Sequence, residues 1–266
     1  MSGGSRLRAA ARTVNVSAMP EHLFAIAAVF VLAGFVKGSI GLGLPSVSMG
    51  LMAVVMTPGQ AAALVVVPSL VTNFWQMVAG PYFRSLLRRL AGLLAASCVG
   101  TWLGAGWLTG PYAQYGVITL GVLLIVYGLI RLADVRVKVT PDKEIWLGPI
   151  VGFISGLLTA ATGVFVIPAI IYLNGIGMEK EELVQALGIC FTVSTIALSF
   201  NLIGAGVLGV SLAATAIVAL IAALAGMWTG QVVRQRLDQA TFRRWFFIGL
   251  MLLGLYLSVS PIVRSF

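Results

Sequence analysis

Lys37 is the one charged residue set well inside an apolar stretch, with fifteen uncharged residues before it and forty-six after. A cation near a bilayer centre costs about 2.5–3.5 kcal/mol, so it either attracts an anion or snorkels to a nearby headgroup. Its context is GFVKGSIGLGLP, residues 34–45, where Gly38, Gly41 and Gly43 loosen a helix around Ser39. Pro45, with Ser46 behind it, suits the first turn of a new helix, where the missing N–H costs nothing. A helix restarting at membrane depth turns unpaired N–H groups and its positive dipole end inward, which is the chemistry of an anion site.

A second such stretch, GLLTAATGVFVIP at 156–168, places Thr159, Thr162 and Gly163 over a matching break. Isolated glycines in membranes more often permit close helix packing, but two breaks at matching positions are what a substrate site between repeats requires. Two polar stripes accompany them. Ser69, Asn73 and Gln76 recur at i, i+4 and i+7, and Gln185, Gly188, Thr192, Thr195 and Ser199 continue the same spacing over four turns. Neutral donors converging from two helices suit a small oxyanion, whereas the blander account is hydrogen bonding between helices. The eight acids, Glu21, Asp134, Asp142, Glu144, Glu179, Glu181, Glu182 and Asp238, all lie in or beside loops, so no embedded proton relay is expected.

These segments sit in a chain of 266 residues that is 59% hydrophobic and 9% charged, a composition that excludes a soluble domain. The uncharged stretches hold roughly eight bilayer-length helices, and the absence of two-residue alternation excludes a barrel. The net charge of +9 lies in short clusters at the ends of apolar stretches, so it reads as a topology signal and not as a nucleic-acid surface. Cys98 and Cys190 are expected as small core residues, and His22 is the only histidine. No catalytic residue, metal site or cofactor motif is expected: zinc ligands, a Ser–His pair and paired intramembrane aspartates are all missing.

An internal repeat organises the chain. Gly34-Phe35 and Gly38 recur 118 residues on as Gly152-Phe153 and Gly156, and Gly100, Trp102 and Gly104 recur 126 residues on as Gly226, Trp228 and Gly230. At that second offset Ser69 and Asn73 fall on Thr195 and Ser199. The expected divisions are a basic N-terminal tail at 1–20, read as retained and not as a cleaved signal, a first repeat at 21–132, a linker at 133–144 and a second repeat at 145–266. Basic clusters at 84–89, 131–143 and 234–244 mark loops facing the cytoplasm, while 57–60, 109–112 and 204–209 carry no charge and read as outer turns.

All three clusters fall inside if the first segment of each half is a broken hairpin that enters and returns, which gives the halves opposite orientation. That symmetric arrangement puts Arg6, Arg8 and Arg12 of the tail outside; breaking only the second half puts every cluster inside. The expected fold is therefore an all-α polytopic membrane protein of two homologous four-segment halves, an inverted repeat with the first segment of each half broken or re-entrant.

The paired stretches GFVKGSIGLGLP and GFISGLLTAATG, on two four-segment halves of a basic chain, resemble the TauE/SafE family of sulfite and organosulfonate exporters. The resemblance covers the chain after residue 20, with departures at Leu44-Pro45, which interrupts the usual run of glycines, and at Thr159 to Thr162, which replaces it. It implies transport of small sulfur-containing anions across a bacterial inner membrane, with a small anion and the lipid bilayer as partners; a homodimer is left open, since the sequence does not show oligomeric state. A small-anion channel is the nearest rival. A thiol-redox carrier is a remoter one, since Cys98 falls on Leu224 under the repeat and neither cysteine has a CxxC partner.

Overall fold

The computed structural model describes residues 20–134, 137–165, 167–234 and 238–263, and among these there are helices and no strands. The helices are α1 (Pro20–Ile40), α2 (Leu44–Val55), α3 (Pro58–Val78), α4 (Phe83–Arg89), α5 (Ala91–Leu103), α6 (Ala113–Leu132), α7 (Pro141–Thr162), α8 (Ala169–Gly175), α9 (Lys180–Gly204), α10 (Ala213–Arg234) and α11 (Gln239–Val263). Seven of these segments are long and apolar enough to cross a membrane. An eighth crossing arises if α4 and α5, bent by 65° at Leu90, act as one. The expected basic tail lies outside the described residues, apart from Pro20.

Local sequence explains where these helices start and stop. Pro45, Pro58 and Pro141 stand in first turns, where a missing N–H breaks no bond. Thr57 and Gln60 form a capping box on α3. Asp238 accepts hydrogen bonds from Thr241 and the backbone of Ala240 at the start of α11, and these hold its carboxyl below the usual carboxylate range. Helix α7 begins at Pro141, inside the stretch expected as linker, because Pro141 with Asp142 and Glu144 makes a favourable first turn at the positive end of the helix dipole.

The breaks fall later than the first glycines of each motif. Helix α1 runs unbroken through Gly34, Lys37 and Gly38 and stops at Gly41 and Gly43, whose φ angles of +89° and +107° L-residues avoid. Thr159 and Thr162 are likewise helical, and α7 ends at Gly163 with φ +74°. Gly34 and Gly38 are needed for contact and not for unwinding. A Cβ on either would stand about 2 Å from a carbonyl of α10, 2.1 Å from Ala223 O and 2.2 Å from Met227 O respectively. Gly226 and Gly230 return the contact, at 2.0 Å from Val31 O and 2.2 Å from Phe35 O.

The other glycine pair does the same: Gly152 and Gly156 of α7 press on Leu93 and Ser97 of α5, and Gly100 and Gly104 press back on Phe153 and Ala160. Residue numbers rise together along both contacts, so α1 runs parallel to α10 and α7 parallel to α5. Each glycine motif of one half is thus seated on its partner from the other half.

The remaining long helices pair in opposite senses. Gly188 of α9 meets Gln76 and Met77 of α3 while Ser69 and Thr195 meet further along, and Gly121 of α6 meets Gly254 of α11 while Gly128 meets Met251. Helices α3 and α9 are the most buried spans and form the centre. The described members of the three basic clusters share one end, where Arg89 bridges to Glu144 and Glu182. The turns after α5 and α9 and the start of α3 share the uncharged end, where Gly59 touches Thr109 and Val207. Helices α2 and α8, of 12 and 7 residues, are too short to cross alone and lead the chain back from each break.

Gly226→Ala forces a methyl into the carbonyl of Val31, and the expected result is a loss of about 1–3 kcal/mol of stability despite the better helix propensity of alanine. Gly249→Ala, with nothing within 4 Å of the new methyl, is expected to leave the melting temperature in detergent unchanged or slightly raised. Equal effects of the two would contradict the close-contact account.

Candidate functional site

Five of the residues singled out from the sequence meet around one small cavity between the two halves. Ser69 from α3, Thr159 and Gly163 from the end of α7, Thr195 from α9 and Pro45 from the first turn of α2 line it, with Ser194, Phe165 and Phe191. Phe165 and Phe191 meet edge to face at 6.1 Å. Ser69 and Thr195, equivalent under the repeat, come together because α3 and α9 cross in opposite senses at this level. The space holds about one water-sized molecule as it stands.

The local chemistry explains why this point is polar. Pro68 offers no N–H to the carbonyl one turn back, so α3 lacks one rung beside Ser69. The Ser69 hydroxyl is 1% exposed and has no hydrogen-bond partner among the described residues. Thr159 donates to Ser155 O at 2.7 Å and accepts from Ser194 Oγ at 3.4 Å, and Thr195 donates to Phe191 O at 2.6 Å. Helix α2 begins at Leu44 behind Gly43, which offers no side-chain cap, so the positive end of its dipole borders the cavity at Pro45. Helix α8, with seven residues, has too little dipole to match it.

Lys37 belongs to a second region, about one turn of α3 toward the basic end. It is 5% exposed, and its ammonium turns to α3, donating to Thr72 Oγ1 at 3.0 Å and to Asn73 Oδ1. A lysine reaching for headgroups would be exposed at its tip, so the snorkelling account does not describe it. No carboxylate lies within ion-pair distance of Lys37 among the described residues. Two of its three protons are engaged, and the side chain borders a vestibule at the basic end lined by Gly41, Gln76, Gln185, Lys180 and Arg234. The α3 stripe therefore joins the two regions: Ser69 in the cavity, Asn73 on Lys37, and Gln76 in the vestibule, where its amide donates to Val184 O.

The other singled-out residues stay apart from the cavity. Ser39 donates to Gly230 O at 3.2 Å across the α1–α10 contact, and Gly38 is packed in that contact. Thr162 donates to Leu158 O, and Gly41 and Gly43 shape the turn. Thr192 and Ser199 donate to the carbonyls of Gly188 and Thr195 one turn back. Ser199 does not join Asn73 because equivalent residues on antiparallel helices diverge on either side of the crossing. Ser194 was not singled out from the sequence; it falls at the i+3 spacing from Phe191, on the face that carries Thr195 and Leu198. Cys98 and Cys190 are free thiols.

Asn73 and Ser69 make opposite forecasts for stability. Asn73→Ala strips the buried ammonium of an acceptor and is expected to cost about 1–3 kcal/mol, read as a lower melting temperature. Ser69→Ala removes a hydroxyl with no partner to lose and is expected to leave that temperature near wild type.

A family model described as sulfite exporter TauE/SafE matches residues 26–257. No curated protein and no solved structure matches the chain.

Proposed function

The chain belongs to the TauE/SafE sulfite exporter family, a family of membrane transporters, and from that premise we propose that it exports a small sulfur-containing anion by alternating access. Sulfite or a two-carbon sulfonate, held between Ser69, Thr159 and Thr195, is the substrate class. The observation that carries this reading is the small cavity where both halves meet at the centre of the bundle, with an unpartnered hydroxyl lining it. A site with a free donor and a helix start beside it favours an oxyanion over a neutral solute. Thr159 and Thr195 now donate to their own helices, and rotation about χ1 redirects each hydroxyl to a bound oxygen at the cost of one local bond.

The antiparallel crossings of α3 with α9 and of α6 with α11 support halves inserted in opposite orientation, with a twofold axis in the membrane plane near Ser69 and Thr195. By the positive-inside rule the basic end faces the cytoplasm of a bacterial cell and the membrane is the inner one. The anion then enters through the vestibule past Lys180 and Arg234, meets the free proton of Lys37, and displaces Thr72 and Asn73 to reach the cavity. A membrane potential negative inside drives an anion outward by about 2.3 kcal/mol per charge per 100 mV, so a coupled proton is not required.

Purified protein in liposomes, loaded with radiolabelled sulfite and given an imposed potential without a pH gradient, is expected to show saturable flux in the direction the potential sets. Lys37→Gln keeps length and polarity without the charge and is expected to lower the rate about tenfold, the equivalent of one charge-assisted hydrogen bond. Full activity in that variant, or flux that appears only with a proton gradient, would sink the corresponding part of the mechanism. Flux rising linearly with sulfite would favour a channel.

A further inference from the structure

At the basic end a second cleft opens between the last turns of α6, the start of α7, the return helix α8 and the start of α11, away from the vestibule and the cavity. Arg89, Arg131, Lys138 and Arg243 line it, against Asp134 and Glu144. Glu144 is already held by Arg89, which takes both carboxylate oxygens at 2.7 and 2.9 Å. Arg131 lies over the ring of Phe247 at 5.9 Å and its buried Nε has no partner among the described residues.

Beside it stands Tyr127, 1% exposed, whose ring packs edge to face on Phe247 at 5.3 Å. Its hydroxyl lacks any partner among the described residues and its side chain lines the cleft. A buried phenol and a buried guanidinium nitrogen left unsatisfied side by side are costly unless a ligand completes them.

The opposite end of the same helix pair serves as a comparison. There a cleft between α6 and α11 is lined by Pro58, Gln114, Tyr256 and Ser260, with no charged residue. A cleft is present at both ends, and the cations occur at one.

We propose that the cleft at the basic end binds a phosphate group, with Arg131 and Arg243 as its cationic clamp and the Tyr127 hydroxyl as a donor to one oxygen. A guanidinium fork matches two phosphate oxygens, and a basic pocket between membrane helices at the cytoplasmic surface suits a headgroup. The phosphate is carried by an anionic phospholipid entering from the bilayer or is free in solution; the chemistry of the site is the same. The site is independent of the sulfur-anion cavity and holds whether or not that reading does.

The test is a thermal-shift titration of the full chain in neutral detergent with phosphatidylglycerol, phosphatidylcholine or inorganic phosphate. Phosphatidylglycerol is expected to stabilise the wild type where phosphatidylcholine does not. The concentration for half-maximal effect is expected to rise about fivefold in each of Arg131→Gln and Arg243→Gln, as loss of one cation near an anionic headgroup predicts. Tyr127→Phe leaves the ring contact intact and loses no existing hydrogen bond, so it folds as wild type and is expected to weaken the effect. Arg84→Gln, an exposed cation outside the cleft, is expected to change nothing. Stabilisation by inorganic phosphate that competes with the lipid identifies the free anion as a source, and its absence identifies the lipid. Equal stabilisation by both lipids, or a phosphatidylglycerol effect identical in wild type, Tyr127→Phe and Arg243→Gln, overturns the proposal.

Discussion

Backbone contact at glycine, across the two halves, is the constraint on which the rest of the structure depends. Lipid offers no hydrophobic drive to pull helices together, so association relies on close packing where side chains are absent. Gly34 and Gly38 accept α10 at carbonyl distance, and Gly152 and Gly156 accept α5 in the same way. Because each pair joins one half to the other, the halves interlock, and neither forms a closed unit alone. The interlock leaves α3 and α9 as the most buried spans, crossing where Ser69 meets Thr195. A polar point can survive there because protein, and not lipid, surrounds it.

Much of this was legible in the sequence because helices in membranes impose period and glycine marks contact. Of the three glycines expected to loosen the first motif, Gly41 and Gly43 do so, whereas Gly38 seats α10. The error has a physical source: a glycine that unwinds a helix and one that seats a neighbouring backbone look alike until the neighbour is known. Only Gly41, Gly43 and Gly163, with positive φ, act as breaks in these motifs. Direction along antiparallel helices separates Asn73 from Ser199 and unites Ser69 with Thr195. Ser194 went unnoticed because the cavity face of α9 lies one residue round from the stripe. The bend between α4 and α5 was also missed, since the run from Phe83 to Leu103 is interrupted by charge without any proline or glycine at Leu90.

The repeat is not carried through to the chemistry at the two ends. Under the 118-residue offset Lys37 corresponds to Ser155, whose buried hydroxyl has no partner among the described residues. A buried ammonium held by Thr72 and Asn73 thus stands on one side, and the equivalent position in the second half is neutral. The clefts between α6 and α11 differ in the same way, basic at one end and uncharged at the other.

The central claim, that the two halves close on one anion between Ser69 and Thr195, is tested most directly by a double-mutant cycle on sulfite affinity. Ser69→Ala, Thr195→Ala and the double variant would be titrated with sulfite under one set of conditions. The account predicts coupling of about 1 kcal/mol, with the double variant losing less affinity than the two single losses combined, because both hydroxyls serve the same ligand. Losses that combine without coupling would place the two residues in separate roles and contradict a shared site.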